Sequence, residues 1–160
     1  MAVLPILRWP DARLGVVCAP VTADAHALAA DMLDTMYDAN GRGLAAPQVG
    51  AMLRMFVMDV TWKQGPSVPQ IFVNPRIVWR SDTLIEGPEG CLSLPGLTTT
   101  VARSDRLRLT WKTLDGQTQY ETFDSFAAIC IQHECDHLDG ILTIDHLTAA
   151  ARGDAQKALQ

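Results

Sequence analysis

No stretch of this sequence approaches the roughly 20 consecutive apolar residues that a membrane helix needs, so a membrane span is not expected. The opening MAVLPILRWPDARL lacks a basic start followed by a long apolar segment. That pattern argues against a secretion signal and for a cytoplasmic protein. Positive charge is scarce: 13 Lys and Arg against 18 Asp and Glu leave a formal net charge of −5. Neutralising phosphates takes clustered Lys and Arg, which makes DNA an unsuitable partner. Internal repeats, low-complexity tracts, charge blocks and linkers are also missing. The four cysteines, Cys18, Cys91, Cys130 and Cys135, do not suggest a disulfide framework. Such frameworks belong to small secreted chains, so free thiols are expected, one or more of them as metal ligands.

What is present is a chain of 160 residues, 48% hydrophobic and 19% charged. That composition excludes wholesale disorder and fits a single domain over residues 1–160. Residues 1–20, with Pro5, Pro10 and Pro20, read as an extended arm. Leu28, Met32, Leu33 and Met36 recur at helical spacing and predict a helix over 24–39, capped by Thr22 or Asp24 and ended by Asn40-Gly41. Strands are predicted over 54–60 and 71–79, the second interrupted by Asn74-Pro75 and so irregular or at an edge. A hairpin is predicted from 106–112 and 117–123 around Asp115-Gly116. The clearest helix runs over 125–139, with Asp124 or Ser125 as cap and Gly140 as terminator. The Ala-rich tail, 148–160, is predicted to be helical and poorly constrained. Strands with helices before and after them indicate an α+β fold.

Chemistry concentrates at His133-Glu134-Cys135-Asp136-His137, a match to H-E-x-x-H. Residues four apart share a helix face, so His133 and His137 can offer two nitrogens to one metal. Glu134, one step round, is placed to reach a water activated by that metal. Cys135 falls on the opposite side and reads as core. Asp136 either hydrogen-bonds a ligand or faces solvent. Phe126 to Ile131, just before the motif, is apolar nearly all round, which marks the helix as central. Burying two His and a Glu there without a shared partner is costly, and ligation removes that cost.

Two histidines do not complete a site, since catalytic zinc-type centres take three protein ligands. Downstream candidates are Asp139, Asp145, His146 and Asp154, but the extended pattern H-E-x-x-H-x-x-G-x-x-H requires His at 143, which is Thr143. Upstream, Glu89-Gly90-Cys91-Leu92-Ser93-Leu94-Pro95 is flanked by Gly87 and Pro88, which shape turns. Cys91 there is either a thiolate ligand or a half-buried packing cysteine. A third segment runs from Gly41 to Gly50 and lacks the G-K-[ST] ending of a phosphate loop. Its Gln48 is a lone polar side chain amid apolar neighbours, and an ordinary turn glutamine is the bland alternative.

Taken together, Gly41-Arg42-Gly43-Leu44-Ala45-Ala46-Pro47-Gln48, Glu89-Gly90-Cys91-Leu92-Ser93 and Gln132-His133-Glu134-Cys135-Asp136-His137 resemble, in order, the three motifs of the peptide deformylase family. The likeness covers roughly residues 4 to 147. It implies an α+β fold with antiparallel sheets around a central helix carrying the third motif. It implies that Cys91, His133 and His137 bind one divalent metal, usually Fe²⁺ in bacterial members and exchangeable for Zn²⁺ or Ni²⁺. Glu134 is then general base and general acid, while Gln48 and the backbone N–H of Leu92 stabilise the oxyanion. Arg42, Gly43 and Gly90 would contact the substrate, an N-formylmethionyl peptide that loses its formyl group as formate.

The sequence departs from that pattern in three places. Arg42 stands where an aliphatic residue is usual, Thr98 stands near a usual basic residue, and 148–160 hold only Arg152 and Lys157 against Asp154. A ribosome partner, reached in some members through a basic C-terminal helix, is therefore weakly supported. Arg42 and Thr98 keep open a related metal amidase of altered substrate preference. A non-catalytic metal-binding homologue is a further alternative, against which intact Glu134 and Gln48 argue.

Overall fold

Strand β2 (Met55–Met58) is buried along its whole length, and this decides the architecture. Successive side chains of a strand point to opposite faces, so such a strand needs cover on both sides. In a computed structural model of the chain, which describes residues 2–160, helix α1 (His26–Asp38) covers one side and helix α2 (Ser125–Leu138) the other. Met55 and Val57 pack with Ala29, Met32 and Met36 of α1. Phe56 and Met58 pack with Ala128, Ile131 and Leu138 of α2.

Strand β2 lies in an antiparallel five-stranded sheet with β1 (Gly43–Ala45), β3 (Gln70–Arg80), β6 (Arg106–Lys112) and β7 (Thr118–Asp124), in the order β1-β2-β3-β6-β7. Leu107 and Leu109 of β6 alternate inward, as their spacing predicts. Phe72 stacks on Phe56 at 4.6 Å between ring centres and touches Trp111 and Phe123, which gives this layer its aromatic centre. Strand β3 is internal rather than an edge. Asn74, at φ 49°, is absorbed as a bulge and exchanges two hydrogen bonds with the Val21 backbone.

A separate ribbon pairs β4 (Leu84–Cys91) with β5 (Leu94–Ser104). The expected turn lies at Leu92-Ser93, between Cys91 and its partner Leu94, and not at Gly87, Pro88 or Gly90. Gly87, Pro88 and Gly90 lie in register with Val101, Thr100 and Thr98, and the ladder shifts only between Gly90 and Cys91. The shift turns the end of β4 toward α2.

Helix α1 begins two residues later than expected, with Asp24 Oδ1 accepting from the His26 backbone N–H at 2.9 Å. The tail is helical, as α3 (Ala149–Leu159) with Thr148 capping Ala151 N–H, but it is not loose. Ala155 is buried against Leu14, Leu94, Leu142 and Ile144, so α3 closes a third apolar cluster beside β5. The fold is α+β.

Candidate metal centre and catalytic cavity

Helix periodicity brings His133 and His137 to one face of α2, with ring centres 5.1 Å apart. The ribbon end delivers Cys91 to the same place. One ligand atom from each of Cys91, His133 and His137 lies within 4.8 Å of the others, and Cys91 Sγ is 3.4 Å from His137 Nε2. A sulfur about 2.3 Å and a nitrogen about 2.0–2.1 Å from one tetrahedral ion stand about 3.5 Å apart, so the spacing fits shared coordination. Soft sulfur with two imidazoles is a donor set for a first-row divalent ion. Asp139, Asp145 and His146 are engaged elsewhere, with Arg54, Arg152 and Asp136 respectively.

Glu134 is 3% exposed and its Oε1 finds no hydrogen-bond partner within the protein. Burial pushes its carboxyl up to about 7. Burial likewise drives His137 well below its ordinary value, toward the neutral form that a ligand requires. The Nδ1 of His137 is also buried without a partner.

Arg103, in β5, was not singled out by its sequence, yet it organises the site. It is 4% exposed and grips Glu89 with two bonds, Nε to Oε2 at 2.9 Å and NH2 to Oε1 at 2.8 Å. Its NH1 reaches Asp136 Oδ2 at 2.6 Å. Glu89 Oε1 in turn lies 2.9 Å from His133 Nδ1, which leaves Nε2 as the free nitrogen of that ring. Burial alone would raise the Glu89 carboxyl, but the bonds from Arg103 and His133 outweigh it and hold the pKa near about 2. Asp136 therefore neither touches a ligand nor faces solvent freely, since it joins Arg103 to His146 Nε2 at 2.8 Å. No local pattern links residues 89, 103 and 136; strand pairing across the ribbon brings the first two together, and the packing of α2 against β5 adds the third.

Gln48 is 2% exposed, and its orientation is defined at both ends. Oε1 accepts from Ala45 N–H at 3.0 Å, while Nε2 donates to Ser93 Oγ at 3.0 Å and sits 3.7 Å from Cys91 Sγ. The N-terminal arm ties these segments together through Leu7 N–H to Gln48 O and Trp9 N–H to Ser93 O. A Cβ at Gly43 would run into Glu134 Oε2 and stand 2.8 Å from Cys130 Sγ, so glycine there keeps the carboxyl accessible.

Gln48, Cys91, His133 and Glu134 line one cavity of about 950 Å³ together with Gly41, Arg42, Gly43, Gly90 and Leu92. His137 lies behind it, 2% exposed. The residues of the three motifs thus gather around one cavity, while Asp139, Asp145 and His146 lie outside it. The Arg42 guanidinium lies 5.3 Å above the exposed Phe126 ring, and its Nε is buried without a partner. No helix is long and apolar enough to cross a membrane among the described residues.

Known proteins resemble this chain in sequence and fold. A polypeptide deformylase family profile matches residues 3–153. The peptide deformylase of Afipia carboxidovorans is 43% identical over 160 residues, covering 98% of this chain and 94% of that one. The crystal structure of a peptide deformylase from Legionella pneumophila superposes with a TM-score of 0.90 at 38% identity, over 99% of this chain and 94% of the other. That of Ehrlichia chaffeensis in complex with actinonin gives 0.91 at 32%, over 99% and 96%. With fold, profile and relatives in agreement along nearly its whole length, this chain belongs to the polypeptide deformylase family.

Proposed function

We propose that Cys91, His133 and His137 hold one divalent ion, around which Glu134, Gln48 and the Leu92 N–H remove the N-formyl group from the initiator methionine of nascent polypeptides, releasing formate. The observation that carries this reading is the meeting of one sulfur and two imidazoles beside an unpartnered buried carboxyl. When bound, the ion supplies Lewis acidity and brings the pKa of a water to about 7.

Glu134 takes the proton of the attacking water at Oε1 and returns it to the leaving amine. A carboxyl raised toward neutrality by burial suits both transfers. Gln48 Nε2 and Leu92 N–H donate to the formyl oxygen as it becomes negative. Gly43 and Gly90 leave room for substrate backbone, and Arg42 shapes the wall beside it. A formyl carbon bears only hydrogen, so a narrow site admits it and rejects bulkier acyl groups.

Thiolate and imidazole donors suit Fe²⁺, the expected ion in the cell, and also Zn²⁺ or Ni²⁺. The substrate places the protein in the cytoplasm. Ribosome docking through the tail is disfavoured, because Arg152 is paired with Asp145 and only Lys157 is left as a free cation there.

The test is formate release from formyl-Met-Ala peptides by iron-loaded, oxygen-protected protein, with acetylated analogues as controls. Formyl peptides are cleaved, acetyl peptides are not, and Glu134→Gln keeps its metal while losing about 10²–10⁴ in kcat. Absence of formate release from the metal-loaded protein would falsify the reading. Cleavage of acetylated peptides in preference would favour the related amidase, which the unusual Arg42 keeps in view.

A further inference from the structure

The loop between β2 and β3 is pinned to the first motif. Asp59 N–H donates to Arg42 O at 2.9 Å, and Trp62 Nε1 donates to Gly41 O at 2.9 Å. Tyr37 packs edge-on against Trp62 at 5.2 Å, and Lys63 lies over the same indole at 5.6 Å. This latch brings Lys63 to the wall of the catalytic cavity, which it lines together with Arg42. Among the described residues, neither cation has a carboxylate within 4 Å. The two acidic residues of the cavity wall do not neutralise them: Glu89 is held by Arg103, and Glu134 lies against Gly43.

Two unpaired cations, one with a buried and unpartnered N–H, therefore share a cavity in a chain of net charge −5. Burial, then the neighbouring Arg42 charge, holds the Lys63 ammonium below its ordinary pKa. An anion beside the two cations relieves their mutual repulsion. A planar guanidinium already oriented over Phe126 presents a fork that fits a carboxylate.

We propose that Arg42 and Lys63 form a carboxylate-recognition subsite that selects formylated peptides bearing an acidic group beyond the methionine. The inference rests on the deformylase reading above and adds its substrate class. Two sources supply such a carboxylate: an acidic side chain, or the free C-terminus of a short peptide.

The experiment compares kcat/KM of the metal-loaded enzyme for four peptides. Formyl-Met-Glu-Ala amide, formyl-Met-Gln-Ala amide and formyl-Met-Lys-Ala amide isolate the side chain, and formyl-Met-Gln-Ala as free acid isolates the C-terminus. We expect at least one carboxylate peptide to exceed the neutral amide by about tenfold, chiefly through KM, with the Lys peptide poorest. Added salt shrinks the preference. Arg42→Met and Lys63→Met each move the ratio toward one, and because the ratio is internal to each variant, a general loss of activity does not mimic the effect. A ratio near one in the wild type, or a ratio unchanged in both variants, overturns the subsite and leaves the deformylase reading intact. Formate from none of the peptides overturns both.

Discussion

Arg103 stands opposite Ile85 in the β4–β5 register, yet its guanidinium runs along the ribbon to clasp Glu89 through two bonds of 2.8 and 2.9 Å. Glu89 is the residue that orients the His133 ring, so one buried cation fixes a candidate metal ligand through an intermediary. Removing one partner of a buried pair costs about 3–5 kcal/mol, because the other charge is left uncompensated. Arg103→Met is expected to lower the urea midpoint accordingly and to weaken metal retention about 10–100-fold. Denaturation curves and metal content after dialysis read the two effects separately. Arg103→Lys loses the fork and falls between.

Gly43→Ala tests the contact between the first motif and α2. The new methyl meets Glu134 Oε2 and Cys130 Sγ, both on buried side chains with little room to move aside. The expected result is a folded, metal-bearing protein whose kcat falls about 10²-fold, as a misplaced general base would produce. Retained metal with near wild-type kcat would show that the carboxyl shifts freely.

Asp59 is completely buried and accepts hydrogen bonds from Tyr37 Oη at 2.6 Å, Ser67 Oγ at 2.8 Å and Val68 N–H at 3.0 Å. Burial raises its carboxyl, but these donors outweigh it, so the native pKa lies below the usual carboxylate range. The unfolded value is about 3.9. The ionised group therefore stabilises the fold above that pH, and the contribution disappears as pH falls through the lower native value. Asp59→Asn is expected to be about 1–3 kcal/mol less stable at pH 7, with the gap to wild type closing below about pH 4. Urea midpoints at pH 7, 5, 4 and 3 check both halves.

Stripping the metal with a chelator should abolish formate release and restore it on adding Fe²⁺. The same treatment should expose one thiol. Cys18, Cys130 and Cys135 are buried, Cys130 at the cavity wall, whereas Cys91 is half-buried and borders the same cavity. Alkylation followed by mass spectrometry is expected to label Cys91 only after metal removal. Labelling at equal rate with and without metal would count against its ligation.

How far these features could be read beforehand depended on their range. His133, Glu134 and His137 were legible because one helical turn relates them. The hairpin of β6 and β7 was legible because its turn is local and its alternation regular. Strand β4 was not, because Gly87, Pro88 and Gly90 carry turn propensities that cross-strand pairing overrides. The docking of α3 escaped for a related reason: small alanines leave a weak apolar stripe, and only Ala155 and Leu159 reach the cluster. Arg103 is one of thirteen Lys and Arg, and no local pattern singles it out. Only the ribbon register and the docking of α2 against it bring in its two acidic partners, Glu89 and Asp136.

The order in which the donors occur along the chain has a consequence for biosynthesis. Cys91 emerges from the translating machinery well before His133 and His137, because β5, β6 and β7 separate it from α2, which carries them. Until that helix docks, the sulfur has no imidazole partners and stands open to oxidants. With the ligand set proposed above, ion capture would be a late step of maturation, and a nascent chain stalled upstream of residue 133 would carry a bare thiol rather than a partial catalyst.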